Sequence, residues 1–167
     1  MIIRLSKALM VCAIAFFSTL VAFGNITDYD TNFAFVHHVF AMDTIFPDAR
    51  ITYRAIHNDV IQNLGYIGII CLETLTAILC WIGGIKLLKN LKQPAQVFNQ
   101  QKNVAVAGLS LGFLTWQVAF MSVGGEWFGM WMSQQWNGVP DAFRFFVTIL
   151  LVLIYLVQRD VDAEEAA

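Results

Sequence analysis

The sequence predicts an all-α polytopic membrane protein, a bundle of four transmembrane helices with a long structured first outer loop. Hydrophobic residues make up 58% of the 167-residue chain and charged residues 13%, whereas soluble domains average about 45–50% and about 25%. A soluble domain of this size has too little interior to bury so much apolar surface. Four apolar segments also approach the roughly 20 residues that a helix needs to cross a bilayer, which indicates that lipid is the solvent.

The apolar segments divide one domain, residues 1–167, into spans and loops. Arg4 and Lys7 precede the first segment, and the small residues Ala22 and Gly24 near its end resemble a signal-peptide cleavage site. The apolar stretch is long for a signal core, so we predict an uncleaved span. The second segment is long enough to tilt, and the fourth is short. The predicted spans are residues 5–24, 63–88, 104–123 and 142–157.

The placement of basic residues predicts the orientation. Seven Lys and Arg residues fall on one side of the predicted bundle and three on the other, and the richer side faces the cytoplasm. Both termini and loop 89–103 are therefore predicted to be cytoplasmic, and loops 25–62 and 124–141 to lie outside. The seven residues are Arg4, Lys7, Lys86, Lys89, Lys92, Lys102 and Arg159, and the three are Arg50, Arg54 and Arg144.

The first outer loop, residues 25–62, is too long to lack structure of its own. Asp30 or Thr31 is expected to cap a short helix that runs toward Ala41. A second short helix is expected to begin near Asp48 and to continue into the second span. These pieces would lie on the membrane surface or fold over the bundle as a lid. The short C-terminal tail after the fourth span is expected to fray.

The same loop contains every histidine of the chain, namely His37, His38 and His57. Imidazole groups with nearby carboxylates suit zinc, copper or iron, so these three residues are metal-ligand candidates. Their spacing is weak support, because adjacent histidines rarely bind one ion and His57 and Asp59 do not share a helix face. The sequence favours the alternative that they are interfacial polar groups, and no metal or other cofactor is predicted.

Glu73 lies inside the second predicted span. A carboxyl group within lipid is rare and indicates by default a functional site, such as a proton or ligand site. The competing interpretation is a structural hydrogen-bond lock between two helices. The candidate partners of Glu73 are Thr76, Thr115, Gln117 and Arg144.

Small and aromatic residues predict contact surfaces. Gly108 and Gly112 stand four apart on the third span, a spacing that lets another helix backbone come close, either in this chain or in a partner. Trp127, Trp131 and Trp136 follow in the second outer loop. They predict either an aromatic belt at the membrane surface or a protein interface.

The aromatic loop also carries a resemblance. Residues 125–131 (Gly-Glu-Trp-Phe-Gly-Met-Trp), 135–138 (Gln-Trp-Asn-Gly) and 143–145 (Phe-Arg-Phe), with four spans of this length, resemble the bacterial family of predicted small integral membrane proteins. The resemblance covers essentially the whole chain. It implies a protein of the inner membrane of a Gram-negative bacterium, and it implies no activity.

Two functions are expected from these observations. The first is a non-catalytic accessory or assembly subunit of a larger membrane complex, such as a respiratory complex, or a homo-oligomer. The three tryptophans of the second outer loop and the two glycines of the third span would carry that contact. The alternative is a small transporter, or a metal- or ligand-binding protein that uses Glu73 and the histidines. Other membrane subunits, a second copy and membrane lipids are the expected partners. Bound lipid is compatible with either function.

Enzymatic and nucleic-acid functions are disfavoured. The sequence shows no glycine-rich phosphate loop and no recognisable Ser-His-Asp or Cys-His grouping. It also lacks a basic patch with interleaved aromatic residues, which nucleic-acid binding would require. The three cysteines fall inside apolar stretches and match no zinc motif.

Overall fold

The computed structural model describes residues 1–162, which form helices and the turns between them, with no strand in this range. The helices are α1 (Ile2–Thr27), α2 (Tyr29–Ala41), α3 (Asp59–Lys89), α4 (Ala95–Gln100), α5 (Asn103–Leu114) and α6 (Val139–Val157). A π-helix, Thr115–Trp127, continues α5, and 3-10 turns occupy Thr52–Arg54 and Met130–Met132.

Four stretches within residues 1–162 are long and apolar enough to cross a membrane: Ile2–Thr27, Asp59–Lys89, Ala95–Trp127 and Val139–Val157. The predicted all-α, four-span architecture is therefore confirmed. Helices suit this environment because every backbone N–H and C=O inside lipid must find its partner within the protein.

The long helices run antiparallel to their neighbours in the order α1, α3, α5, α6. Tyr66, early in α3, donates a hydrogen bond to Asn25, late in α1, whereas Gly84, late in α3, lies beside Cys12. α6 packs against both α5 and α1 and closes the bundle. The two ends of the chain therefore lie together, at what we call the termini end. We call the opposite end, which α2 covers, the α2 end.

Small residues let α3 pack closely on both neighbours. α1 presents Ala8, Ala15 and Ala22 at intervals of seven residues, each at most 5% exposed, and this spacing keeps them on one face. α3 in turn presents Gly83 to α5, where an added Cβ would lie 2.6 Å from the Cα of Ala105. Helices inside a membrane gain little free energy from burying apolar surface against each other, because lipid is itself apolar. Close backbone contact stabilises their packing instead.

The glycine face of α5 is filled by the same chain. A Cβ on Gly108 would lie 2.9 Å from the backbone nitrogen of Cys80, and one on Gly112 would lie 2.9 Å from Thr76 Cγ2. Both glycines therefore serve packing between α5 and α3, where another protein cannot reach them. This placement differs from the predicted contact with a partner.

The loop at the α2 end differs in part from its prediction. α1 runs on to Thr27, and α2 follows after Asp28 alone. The second helix expected from Asp48 is absent from this described loop, which contains only a 3-10 turn. Asn58 instead begins α3 sharply, because its side-chain oxygen accepts the N–H groups of Val60 and Ile61. α3 therefore extends beyond the end of α1, and α2 folds against the projecting part.

Substitution at Gly83 tests the close packing of the bundle. We expect Gly83→Ala to lower the melting temperature of the detergent-purified protein by several degrees, because the new methyl group meets the backbone of α5. Gly68→Ala is the matched control on the same helix, since an added Cβ there has no neighbour within 4 Å. The control should be neutral or slightly stabilising, because alanine favours helix over glycine. Equal melting temperatures would contradict the packing role.

Candidate functional site

An apolar groove of about 490 Å³ lies near the α2 end, between α3 and the π-helix. Ile69 and Leu72 of α3 form one wall, and Val118 and Val123 of the π-helix form the other. Side chains of α2 roof the groove together with the segment after the π-helix. These roof residues are Phe35, Val36, Val39, Phe40, Phe128 and Met130.

The roof of the groove contacts α3 at a glycine, Gly65. The ring of Phe40 packs directly on Gly65 of α3, where an added Cβ would lie 2.7 Å from Phe40 Cε2. Phe40 also meets the ring of Phe128 edge-on, with the ring centroids 4.8 Å apart. A side chain at position 65 would displace the ring of Phe40. The sequence alone gave no sign that this glycine supports α2.

The groove opens sideways, onto the surface that would face lipid. Leu114, Val118 and Val123 at its edge are 51%, 47% and 41% exposed. The π-helical backbone has a wider turn than an α-helix, and π-helical segments often occur at functional sites. Because the opening lies on the apolar surface, a lipid-soluble molecule can enter without passing through water.

Glu73 lies between α1 and α3 and is 1% exposed. Its Oε2 accepts a hydrogen bond of 2.7 Å from Asn25 Nδ2, in the last turns of α1. The hydroxyl of Tyr66 donates to the backbone oxygen of Asn25 at 3.1 Å and to its Oδ1 at 3.3 Å. The Asn25 amide therefore bridges Glu73 and Tyr66.

The partners proposed for Glu73 from the sequence lie elsewhere, and none of them is hydrogen-bonded to it within residues 1–162. Thr76 and Thr115 bond the carbonyl groups four residues before them on their own helices. Arg144 is exposed and pairs with Asp141, and Gln117 is half-buried on the π-helix. Asn25 was missed because it stood in the predicted loop, just beyond the predicted end of the first span.

The histidines each have a different environment. His37 Nδ1 lies 2.7 Å from Gln62 Oε1 on α3, and His38 Nδ1 lies 2.8 Å from Asp43 Oδ2. His57 is exposed. Within residues 1–162, the structure brings together no group of three or more His, Cys, Asp or Glu side chains that could hold a metal ion. His37 therefore links α2 to α3, whereas the contact of His38 with Asp43 is local to the end of α2.

The tryptophans divide into exposed and packed positions. Trp127 and Trp131 are 52% and 46% exposed, although Arg54 lies over the ring of Trp127 at 4.7 Å from its centroid. Trp136 is half-buried and stacks on His38, with ring centroids 4.6 Å apart. Trp136 therefore holds α2 in place, and the other two remain on the surface.

A cluster of buried charges at the termini end was not foreseen. Asp160 Oδ2 accepts hydrogen bonds from Lys7 Nζ at 2.7 Å and from Lys102 Nζ at 2.6 Å. Both ammonium groups also donate to the backbone oxygen of Gln158. We call these four residues the termini clamp. It joins α1, the start of α5 and the chain after α6, and this part of the tail is therefore ordered.

The carboxylates of the tail are held in their charged form. Burial raises the pKa of Asp160, but the hydrogen bonds from Lys102 and Lys7 outweigh that effect and hold the pKa below its ordinary value. The backbone N–H of Ala95 lowers the pKa of Asp162, and a hydrogen bond from Arg4 adds to this effect. The stabilisation from these groups is complete at neutral pH and is lost as the pH falls through the lowered pKa values.

Four antiparallel spans, with a helix folded over one end, define a small polytopic integral membrane protein. The model of the family "Predicted small integral membrane protein (DUF2165)" matches residues 3–159. The chain belongs to this family, and the resemblance carried by residues 125–145 is confirmed. No curated protein and no solved structure matches the chain.

Substitution at Asp160 tests the termini clamp. We expect Asp160→Asn to lower the free energy of unfolding by about 3 kcal/mol, because it leaves two buried ammonium groups without a counter-charge. Thermal unfolding in detergent measures the effect. The matched control is Asp141→Asn, which removes an exposed ion pair and should change stability by less than about 0.5 kcal/mol.

Lowering the pH tests the termini clamp in a second way. The wild-type melting temperature should fall as the pH drops below the ordinary pKa of Asp160, and the fall should be smaller in Asp160→Asn. A variant that is as stable as the wild type at neutral pH would contradict the clamp.

Proposed function

We propose that this chain is a non-catalytic integral membrane protein that binds the apolar chain of a lipid-soluble ligand in the groove under α2. The observation that carries the proposal is the groove itself, which is apolar, encloses about 490 Å³ and opens sideways. Ligand sites typically enclose about 300–1,000 Å³ and are mostly apolar. An acyl or polyprenyl chain suits this lining, because the lining is apolar and contains no charged side chain.

The use of small residues inside the bundle favours a flexible ligand over a protein helix in the groove. A transmembrane helix docks where small residues let its backbone approach. Gly83, Gly108 and Gly112 are covered by helices of the same chain. The groove edge carries large side chains such as Leu114 and Val118, between which a flexible chain fits more easily than a helix.

A substitution that fills the groove tests this proposal. Ala119 lines the groove, and we expect Ala119→Phe to reduce the lipid that remains bound after detergent purification by about tenfold, which corresponds to about 1.4 kcal/mol. Quantitative mass spectrometry of lipid extracted from the purified protein measures it. Ala107→Phe is the matched control, since Ala107 is exposed on α5 outside the groove. Equal lipid content in wild type and both variants would refute binding in the groove.

A second candidate function is that of an accessory subunit of a larger membrane complex, and the exposed aromatic residues at the α2 end favour it. Trp127, Trp131, Phe46 and Tyr53 are between 46% and 76% exposed, and tryptophan and tyrosine are enriched at binding hot spots.

We place the chain in a bacterial inner membrane with the termini end in the cytoplasm, supported by the excess of Lys and Arg at that end.

Gentle-detergent purification from native membranes tests this second candidate. A C-terminally tagged protein should bring down a larger membrane protein in stoichiometric amount, and a Trp127→Ala, Trp131→Ala double variant should lose it. In intact cells the tag should be protected from an impermeant label. Purification of a lone monomer would refute the accessory-subunit function. Labelling of the tag in intact cells would refute the proposed orientation and place the C-terminus outside.

A further inference from the structure

Glu73 is a buried acid without a cation. Within residues 1–162, no Lys, Arg or His nitrogen lies within 4.0 Å of its carboxyl oxygens, and Asn25 provides its one side-chain hydrogen bond. The contrast with Asp160 is direct, because that carboxylate faces two ammonium groups. A buried carboxyl group with a single hydrogen bond is stable as the neutral acid, since the anion would lose its hydration without compensation.

The surrounding helix end adds to this preference. Asn25 stands in the last turn of α1, where the backbone carbonyl groups carry partial negative charge. Tyr66, on the same helix, shares the Asn25 amide with Glu73, and Tyr29, at the junction of α1 with α2, packs on the Tyr66 ring. α5 contributes no titratable residue between Asn103 and Leu114. Each of these neighbours is neutral or negative, so none favours the anion.

Two separate sets of polar contacts lie between Glu73 and the α2 end, and ring packing connects them. The Asn25 amide joins Glu73 to the hydroxyl of Tyr66. The ring of Tyr66 packs on Tyr29, with centroids 4.8 Å apart, and the Tyr29 hydroxyl donates to Asn63 Oδ1 at 2.8 Å. Asn63 lies in the second turn of α3, close to the edge of the bundle.

From these contacts we infer that Glu73 is a proton-binding site inside the membrane bundle, with its carboxyl group oriented by the Asn25 amide. The site holds one proton at neutral pH and releases it when the pH rises. The Asn25 amide donates to the carboxyl group in either state, so it also ties α1 to α3. The ligand of this site is the proton itself, which distinguishes it from the apolar groove.

Infrared spectroscopy of the reconstituted protein tests the proton site. At neutral pH we expect the carbonyl stretching band of a protonated carboxyl group, shifted in D2O and absent from Glu73→Gln. The band should decline as the pH is raised, because the carboxyl group then releases its proton. Glu126→Gln is the matched control, since Glu126 is exposed, and it should leave the band unchanged.

A second variant tests the role of the Asn25 amide. Asn25→Leu removes the hydrogen-bond donor that supports the anion, so the midpoint at which the band disappears should move to higher pH. Glu73→Gln is isosteric and should keep its melting temperature, which separates loss of the band from loss of the fold. The inference is overturned if the wild type shows no Glu73-dependent band. It is equally overturned if the band neither titrates nor shifts in D2O, because Glu73 would then be a static lock.

Discussion

The close approach of α3 to α1 on one side and to α5 on the other is the contact on which the rest of the structure depends. Small side chains at these contacts let the helix backbones come close. They are Ala8, Ala15 and Ala22 on α1 and Gly83 on α3. Inside lipid, apolar burial gives little drive to helix association, so backbone proximity must provide it. Once α3 is fixed, its first turns project past α1 and form the surface on which α2 folds. α2 in turn provides part of the roof of the apolar groove.

Buried ionisable groups have a counter-charge at one end of the bundle and none at the other. At the termini end, Lys7 and Lys102 share the Asp160 carboxylate and the carbonyl oxygen of Gln158, so both buried ammonium groups have an acceptor and a counter-charge in common. Near the α2 end, Glu73 meets an amide and no cation. The first arrangement stabilises ions and ties the C-terminal segment to α1 and α5. The second favours a neutral acid, and it ties α1 to α3 by a bond that survives loss of the proton.

Particular residues show why prediction from sequence succeeded at the level of spans and failed at the level of sites. α2 ends at Ala41 as expected, but the expected cap was wrong, because the helix begins after Asp28 without a side-chain cap hydrogen bond, and Asp30 and Thr31 lie inside it. The expectation that the tail frays was wrong for Asp160 and Asp162, whose partners Lys7, Lys102 and Arg4 are 58 to 158 residues away in the chain. No local pattern encodes a pairing over such separations. The π-helix was missed for a related reason, since its hydrophobic pattern differs little from that of an α-helix in an all-apolar span.

The sequence by itself determined that the chain crosses a membrane four times, because hydrophobic length and the distribution of charge are local properties of the chain. It also determined that Glu73 lies in a span and must face the protein interior, since lipid does not solvate a carboxyl group. Only the tertiary structure decided which group Glu73 meets, that Gly108 and Gly112 are used within the chain, and that a groove opens beneath α2. These features depend on the rotation of each helix about its axis. That rotation is fixed by side-chain packing between distant segments, and a uniformly apolar span does not reveal it.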